Sequence, residues 1–299
     1  MKILITGHRG YIGANLVYKL RNMEGGDKHV IHGVDIANQD QRPGSRGVDD
    51  MLDKSDHLFQ SMKDGAEFDT IFHLAAISNV AEFNDNPVQA SIDTLSSLKV
   101  MEIPHKRFIF ASSAAAEHQE SMYGRIKRVC EQIIHDKENH HAIALRLHNV
   151  VGSVPASNFY ELKDPVTHLI PQLVLNNAIT IYGDGEQTRD YVDVNSVCEE
   201  MIDWGLGHET EFGYYDEDEE FLHKTIEVGY GISYSVIEVL KAYQEVSGKK
   251  CVVTFGDERP GDVNNQRANG NTFSQSETYT LEQSIMNTIM SYQQAKLIK

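Results

Sequence analysis

Three residues in the stretch "SSAAAEHQESMYGRIK" (112–127) are of types that can move a proton together: Ser113, Tyr123 and Lys127. Tyr123 and Lys127 stand four apart, which on a helix puts phenol and ammonium on one face. A tyrosine ordinarily ionises near 10, too high for a base at neutral pH. A neighbouring ammonium favours the phenolate and is expected to draw that pKa down. Ser113, ending an apolar strand-like run, is placed to hold a hydroxyl or carbonyl against the phenol. The same spacing also arises in an ordinary amphipathic helix, so the rest of the chain must decide.

A second constellation opens the sequence. "KILIT" (2–6) reads as a buried strand, "TGHRGYIG" as a turn with Gly7, Gly10 and Gly13, and "ANLVYKLRNM" as a helix. Glycines at that spacing permit a tight turn and let backbone approach a pyrophosphate at a helix N-terminus. The next strand, "HVIHGVD" (29–35), ends in Asp35. A carboxylate there accepts both ribose hydroxyls of an adenosine and repels a 2′-phosphate, so NAD is expected over NADP. Its positive nicotinamide ring would join the Lys127 ammonium in favouring the Tyr123 phenolate. Arg42 and Arg46 follow and leave a phosphate reading open. The competing interpretation of the turn is a flavodoxin-like loop that holds no dinucleotide.

These residues need a frame. "FDTIFHLAA" (68–76), "KRFIFASS" (106–113) and "AIALRL" (142–147) read as further buried strands, and 87–102, 123–137 and 194–205 carry helical apolar spacing. Such alternation gives a doubly wound α/β fold with a parallel sheet, a Rossmann architecture with ligands at the carboxyl ends of its strands. A nucleotide-binding domain over 1–150 is expected, with return segments near 188–207 and 224–232. The remainder, 151–299, reads as a smaller α+β substrate-binding region. It includes short strands around a turn in "AITIYGDGEQTRDYVDV", a helix over 233–247, and a threonine-capped helix near the end.

The chain has 299 residues, 27 lysines and arginines against 44 acids, and a formal net charge of −17. That balance argues against nucleic acid as a partner. The three cysteines lie far apart without a CxxC pair, which suits a reducing compartment. The histidines lack ligand-like spacing, so no metal is expected. No apolar run is long enough to span a membrane. The reading is a cytoplasmic protein that does not contact membranes.

Together the motifs resemble those of the extended short-chain dehydrogenase/reductase family, over almost the whole chain. "TGHRGYIG", "FHLAAISNV", "FIFASSAA" and "YGRIK" resemble its nucleotide turn, fourth-strand element, serine strand and Tyr-x-x-x-Lys pair. "LRLHNVVG", "THLIP", "IYGDGEQTRDYVDV" and "RPGD" are similar to segments that hold a nucleoside-diphosphate sugar, and the subfamily they resemble is the UDP-glucose 4-epimerase group. The resemblance implies that Gly7, Gly10, Tyr11, Ile12, Gly13, Asp35, Asp50, Leu74, Ala75, Ala76, Ser112, Tyr123 and Lys127 contact NAD. It implies that Ser113 and Tyr123 contact the sugar and that Asn149, Arg189 and Arg259 hold the diphosphate. Asp262 would meet a ribose, with His168, Leu169, Thr180 and Tyr182 near a uridine. It also implies a homodimer paired through the helices in 87–102 and 123–137.

The expected reaction follows from what flanks the serine. Family members that eliminate water carry Asp and Glu just after it, whereas this chain has Ala114 and Ala115. Glu117 stands too far along to match an acid of the decarboxylating members. Oxidation at C4 of a UDP-hexose and return of the hydride remain, which is epimerisation. Two features depart from the family: the interval between Ser113 and Tyr123 is about fifteen residues short, and Asp93 stands where an Asn usually touches the nicotinamide ribose. The alternatives are an NADP-dependent sugar-nucleotide reductase or heptose 6-epimerase on the same fold, or a non-catalytic NAD-sensing protein.

Overall fold

In the computed structural model, residues 1–35, 49–50, 65, 67–78, 80–137, 141–154, 169–207, 224–258, 264–271, 273, 278–295 and 298 are described. The first strands of the chain are β1 (Lys2–Thr6), β2 (Val30–Val34), the two-residue β3 (Asp49–Asp50), β4 (Phe68–His73), β5 (His105–Ser113) and β6 (His141–Leu147). They include apolar runs whose central residues are buried, as in β1, β4 and β5. Ile3, Leu4, Ile5, Phe72 and Phe108 have no exposed surface. Burying such a side chain contributes about 1.5–3 kcal/mol.

Among the described residues, these strands are accompanied by α1 (Tyr11–Asn22), α2 (Val80–Asp85), α3 (Pro87–Ser97), the single-turn α4 (Ala115–His118) and α5 (Met122–His135). The helix expected over 87–102 is α-helical only to Ser97; Leu98–Glu102 tighten into a 3₁₀ turn. α5 buries Lys127, Cys130, Glu131 and Ile134 along one face. Cys130 and Ile134 join Phe108, Phe110, Ile71 and Met101 in one cluster of the core.

Further along come β7 (Asn149–Val151), α6 (Leu169–Asn176), β8 (Ala178–Tyr182), β9 (Thr188–Asp193), α7 (Val194–Leu206) and β10 (Lys224–Val228). The chain then forms β11 (Ser233–Ser235), α8 (Val236–Ser247), β12 (Val252–Gly256), β13 (Asn265–Gln266) and α9 (Leu281–Gln294). The large sheet has the order β3-β2-β1-β4-β5-β6-β10. Its first six positions match the dinucleotide-binding order, in which the chain reverses direction across the sheet between β1 and β4. Every pairing from β3 through β5 is parallel.

The chain divides into two units, residues 1–146 with 200–226, and 147–199 with 227–299. Of the expected return segments, residues 200–207 group with the first unit and β10 joins its sheet. Residues 188–193 do not rejoin the first sheet; β9 pairs with β7, β11 and β13 of the second unit. The apolar alternation of "YVDV" specifies a strand but not which sheet receives it. Within the second unit β8 and β12 form their own parallel pair. α8 and α9 each begin at a complete capping box, Ser235 with Glu238 and Thr280 with Gln283. Among the described residues no helix is long and apolar enough to cross a membrane, and no three metal-ligating side chains gather.

Candidate active site

At the carboxyl end of β1 the chain turns through Gly7, whose φ of +70° suits a residue without a Cβ. Its N–H donates to Val34 O at 2.8 Å, and a Cβ there would stand 2.9 Å from Ala75 N. Gly13, in the first turn of α1, lies closer still: a Cβ would come within 2.2 Å of Gly7 O. Gly10 caps α1, with Tyr11 and Ile12 at its start, and neither a side-chain cap nor an acid occupies the first turn. This cradle of bare backbone under a helix N-terminus fits a pyrophosphate. Asp35, just beyond β2, accepts the Arg9 N–H at 3.0 Å through Oδ2, which fixes its carboxylate beside the turn. Asp50 pairs with Gly33 along β3.

The segment Leu74–Ala76 is fixed by a directional chain of hydrogen bonds. Ala75 N–H donates to Thr6 Oγ1 at 3.1 Å, and Thr6 Oγ1 lies 2.7 Å from His73 Nδ1. On the far side His73 Nε2 is 3.0 Å from Ser97 Oγ, which donates to Thr94 O at 2.7 Å. Ser97 has spent its proton, so Nε2 is the donor; Nδ1 therefore accepts from Thr6. Only a neutral imidazole completes this chain. Burial first, and the Lys127 charge second, push the His73 pKa down to about 3.

The end of β5 and one face of α5 are joined rung by rung. Ser113 and Tyr123 are hydrogen-bonded through their hydroxyls, and Ser113 Oγ also accepts the Ala115 N–H at 3.2 Å. Lys127 Nζ donates to Ala111 O at 2.8 Å and sits 4.7 Å above the Phe110 ring, which also stacks with His73. Close approach of α5 depends on Gly124, where a Cβ would stand 2.2 Å from Ala115 O. Ser121 caps the helix by accepting the Gly124 N–H. Tyr123 also packs against Phe83 of α2, with ring centroids 5.6 Å apart.

The chain's own groups hold Tyr123 in its phenol form. Burial raises the Tyr123 pKa above its usual 10, with the Ser113 hydrogen bond opposing. The ammonium expected to lower it is directed at the Ala111 carbonyl and the Phe110 ring instead. Lys127 itself is brought down to about 8 by burial, with Cys130 and Glu131 opposing.

Ser112, expected at the cofactor, commits its buried hydroxyl to Glu131, donating to Oε1 at 2.7 Å. Glu131 takes a bidentate fork from Arg146, Nε to Oε1 and Nη2 to Oε2, both at 2.9 Å. Arg146 Nη1 meanwhile donates to Glu117. The only acid that sequence reasoning considered near Ser113 is thus committed to an arginine. Glu131 and Arg146 escaped that reading, although both left signals. An arginine inside the apolar run "AIALRL" requires a buried partner, and Glu131 continues the Tyr123–Lys127 face by one more turn.

The second-unit candidates are looser. Asn149 begins β7 and is half-buried, Leu169 begins α6, and Tyr182 ends β8. Exposed Thr180 shares a hydrogen bond with Thr254, 2.9 Å between hydroxyl oxygens. Arg189 Nη1 donates to Thr188 O at 2.9 Å. Beside it, buried Asp190 accepts backbone N–H groups of Tyr230, Gly231 and Ala268. His168, Arg259 and Asp262 lie outside the described residues. Asp93 is exposed and accepts from Gln89 on its own helix.

A glycine-lined pyrophosphate cradle at the switch point of this sheet, with a serine, a tyrosine and a lysine interlocked two strands away, defines a dinucleotide-dependent α/β enzyme. A sequence model of the NAD dependent epimerase/dehydratase family matches residues 3–204, more than half of the chain, and the chain belongs to that family. It is an enzyme of a family whose cofactor is NAD. Among curated relatives, a UDP-glucose 4-epimerase of Lacticaseibacillus casei is 26% identical over 88% of this chain and 86% of its own length. UDP-glucose 4-epimerase 1 of Oryza sativa subsp. japonica is 28% identical over 87% and 84%. Among solved structures, a UDP-glucose 4-epimerase from Bifidobacterium longum in complex with NAD+ and UDP superposes with a TM-score of 0.79. That likeness, at 21% identity over 98% of each chain, is one of fold.

Proposed function

We propose that the protein is an NAD-dependent epimerase of a nucleoside-diphosphate sugar, acting at C4 of UDP-glucose and UDP-galactose. The observation that carries this reading is the Ser113–Tyr123–Lys127 constellation with, among the described residues, no uncommitted acid following the serine. Ala114 and Ala115 follow the serine, and Glu117 is held by Arg146. An enzyme that eliminates water needs an acid and a base there; one that only moves a hydride out and back does not. The names of the curated relatives support the same class.

NAD, when bound, accepts a hydride from the sugar carbon and returns it. The chain's own residues supply the rest. Gly7, Gly10 and Gly13 leave room for the pyrophosphate, and Asp35 accepts from the adenosine ribose. Ser113 holds the sugar 4-oxygen by hydrogen bonding while Tyr123 takes its proton and later restores it. In the free protein the phenol is held neutral by burial, so the positive charge that favours phenolate must come from Lys127 together with the cofactor. Asn149, Arg189 and Arg259 hold the diphosphate, and Asp262 accepts from the second ribose. His168, Leu169, Thr180 and Tyr182 flank the base. Anchoring by the nucleotide leaves the hexose free to present its other face, so little affinity should come from the sugar.

Pairing of two copies belongs to the same reading. Val88 and Ile92 on α3 and Val129 and Ile133 on α5 are exposed apolar side chains at helical spacing, which supports a homodimer through these helices. The deciding experiment incubates the protein with UDP-galactose and NAD without reduced cofactor, with products separated by chromatography. UDP-glucose at turnover numbers far above the NAD present is the expected result. Stoichiometric consumption of NADH or NADPH in a parallel incubation supplied with it, and no product without it, would make it a reductase; no reaction across UDP-, dTDP-, GDP- and ADP-sugars would refute the reading.

A further inference from the structure

Tyr123, Lys127 and Glu131 follow one another at four-residue steps along α5, and each bonds to one of three consecutive residues of β5. Tyr123 meets Ser113, Lys127 meets the Ala111 carbonyl, and Glu131 meets the Ser112 hydroxyl. We propose that Glu131 is a positioning residue of the reaction: through Ser112 it holds the Ser113 end of the strand against the helix, and it sets a carboxylate one helical turn beyond Lys127. This rests on the roles given to Ser113, Tyr123 and Lys127 under the proposed function.

The carboxylate is fixed from four directions. Ser112 and Arg146 Nε donate to Oε1; Arg146 Nη2 and Arg128 Nη1 donate to Oε2. Burial raises the Glu131 pKa, opposed by the Ser112 and Arg128 hydrogen bonds, and these four donors saturate the carboxylate in its ionised form. Glu131 is only 1% exposed, so removing its charge leaves Arg146 buried beside a neutral group. Arg146 also reaches Glu117 in α4, so the same pair ties down the short connector that delivers Tyr123.

Among the described residues, few other charges face Lys127. On its own helix it has Tyr123, Cys130 and Glu131; from β4 it faces His73, and from β5 the Ala111 carbonyl and the Phe110 ring. Burial lifts the Cys130 thiol to about 11, so it is uncharged at neutral pH. Neutral His73 and un-ionised Tyr123 contribute no charge either. Glu131 is therefore the anion that opposes the desolvation of Lys127, and a buried lysine at about 8 has little margin to lose.

The test uses three variants and two readouts. NMR of side-chain-labelled lysine in the cofactor-free protein follows the Lys127 titration. Glu131→Gln should lower it by about one pH unit, and Glu131→Asp should restore most of the shift. Steady-state kinetics across pH should show the alkaline limb of kcat/KM moving down with Glu131→Gln by the same amount. Ser112→Ala, which leaves every charge in place, should cut kcat roughly tenfold with KM and the lysine titration unchanged. An unshifted Lys127 in Glu131→Gln, or parental kcat in Ser112→Ala, overturns the proposal. Should Glu131→Gln not fold, Ser112→Ala decides alone. The titration needs neither cofactor nor sugar, so a protein that epimerises nothing would sink the proposed function while leaving this test standing.

Discussion

The two units handle their functional side chains differently. In the first, Ser113, Tyr123, Lys127 and Glu131 are bonded to one another or to the adjoining strand, and the nucleotide turn is locked by Val34, Thr6 and His73. In the second, Asn149, Thr180, Tyr182 and Arg189 remain partly open to solvent, and the buried anchoring falls to their neighbours. Asp190 pins three backbone N–H groups, while the Tyr230 hydroxyl accepts from the Asp193 and Tyr279 backbones and bonds Ser196. Chemistry that repeats on every turnover benefits from groups already in place, because their ordering is completed on folding. Recognition tolerates groups that settle only against a ligand.

The largest test of this contrast is Tyr123→Phe. It should lower kcat about 10³-fold while NADH fluorescence shows cofactor still bound; near-parental turnover would remove the preset base from the comparison. Next comes Asp190→Ala, which strands three buried donors and should cost about 3 kcal/mol or more in urea unfolding. A variant as stable as the parent would show that the second unit has no such anchor.

Acid should test the first unit through His73. Unfolded chain binds a proton below about 6.5, whereas folded His73 stays neutral until about 3, so its contribution is complete above pH 6.5 and fades as pH falls toward 3. Between pH 7 and pH 4.5 this amounts to roughly 2–3 kcal/mol in denaturant titrations, and His73→Gln should flatten that part of the slope. The smallest effect is expected from Arg189→Lys: KM for the sugar nucleotide rising about tenfold with kcat within about twofold. A selective fall in kcat would instead place Arg189 with the preset groups.

Much of this was legible before folding because it is local. Buried parallel strands appear as unbroken apolar runs such as "KILIT" and "FIFASS", and a glycine turn must follow the first of them. Tyr123 and Lys127 share a face by helical arithmetic alone. What escaped depends on distance in sequence. Glu131 and Arg146 are joined across two elements, and neither position announces the other. β9 looked like a return strand because alternation does not say which sheet a strand enters. The direction of the Lys127 ammonium escaped for a related reason: spacing places it on the right face, but a carbonyl and a ring decide where it points.

The three rungs between β5 and α5 carry a mechanical consequence. Sliding the helix by a single residue would translate it about 1.5 Å and rotate it by more than a quarter turn, breaking all three contacts at once. Intermediate alignments have no bonds to offer. Heating should therefore extinguish catalysis in one sharp step that coincides with melting of this strand–helix seam, with no gradual slackening beforehand.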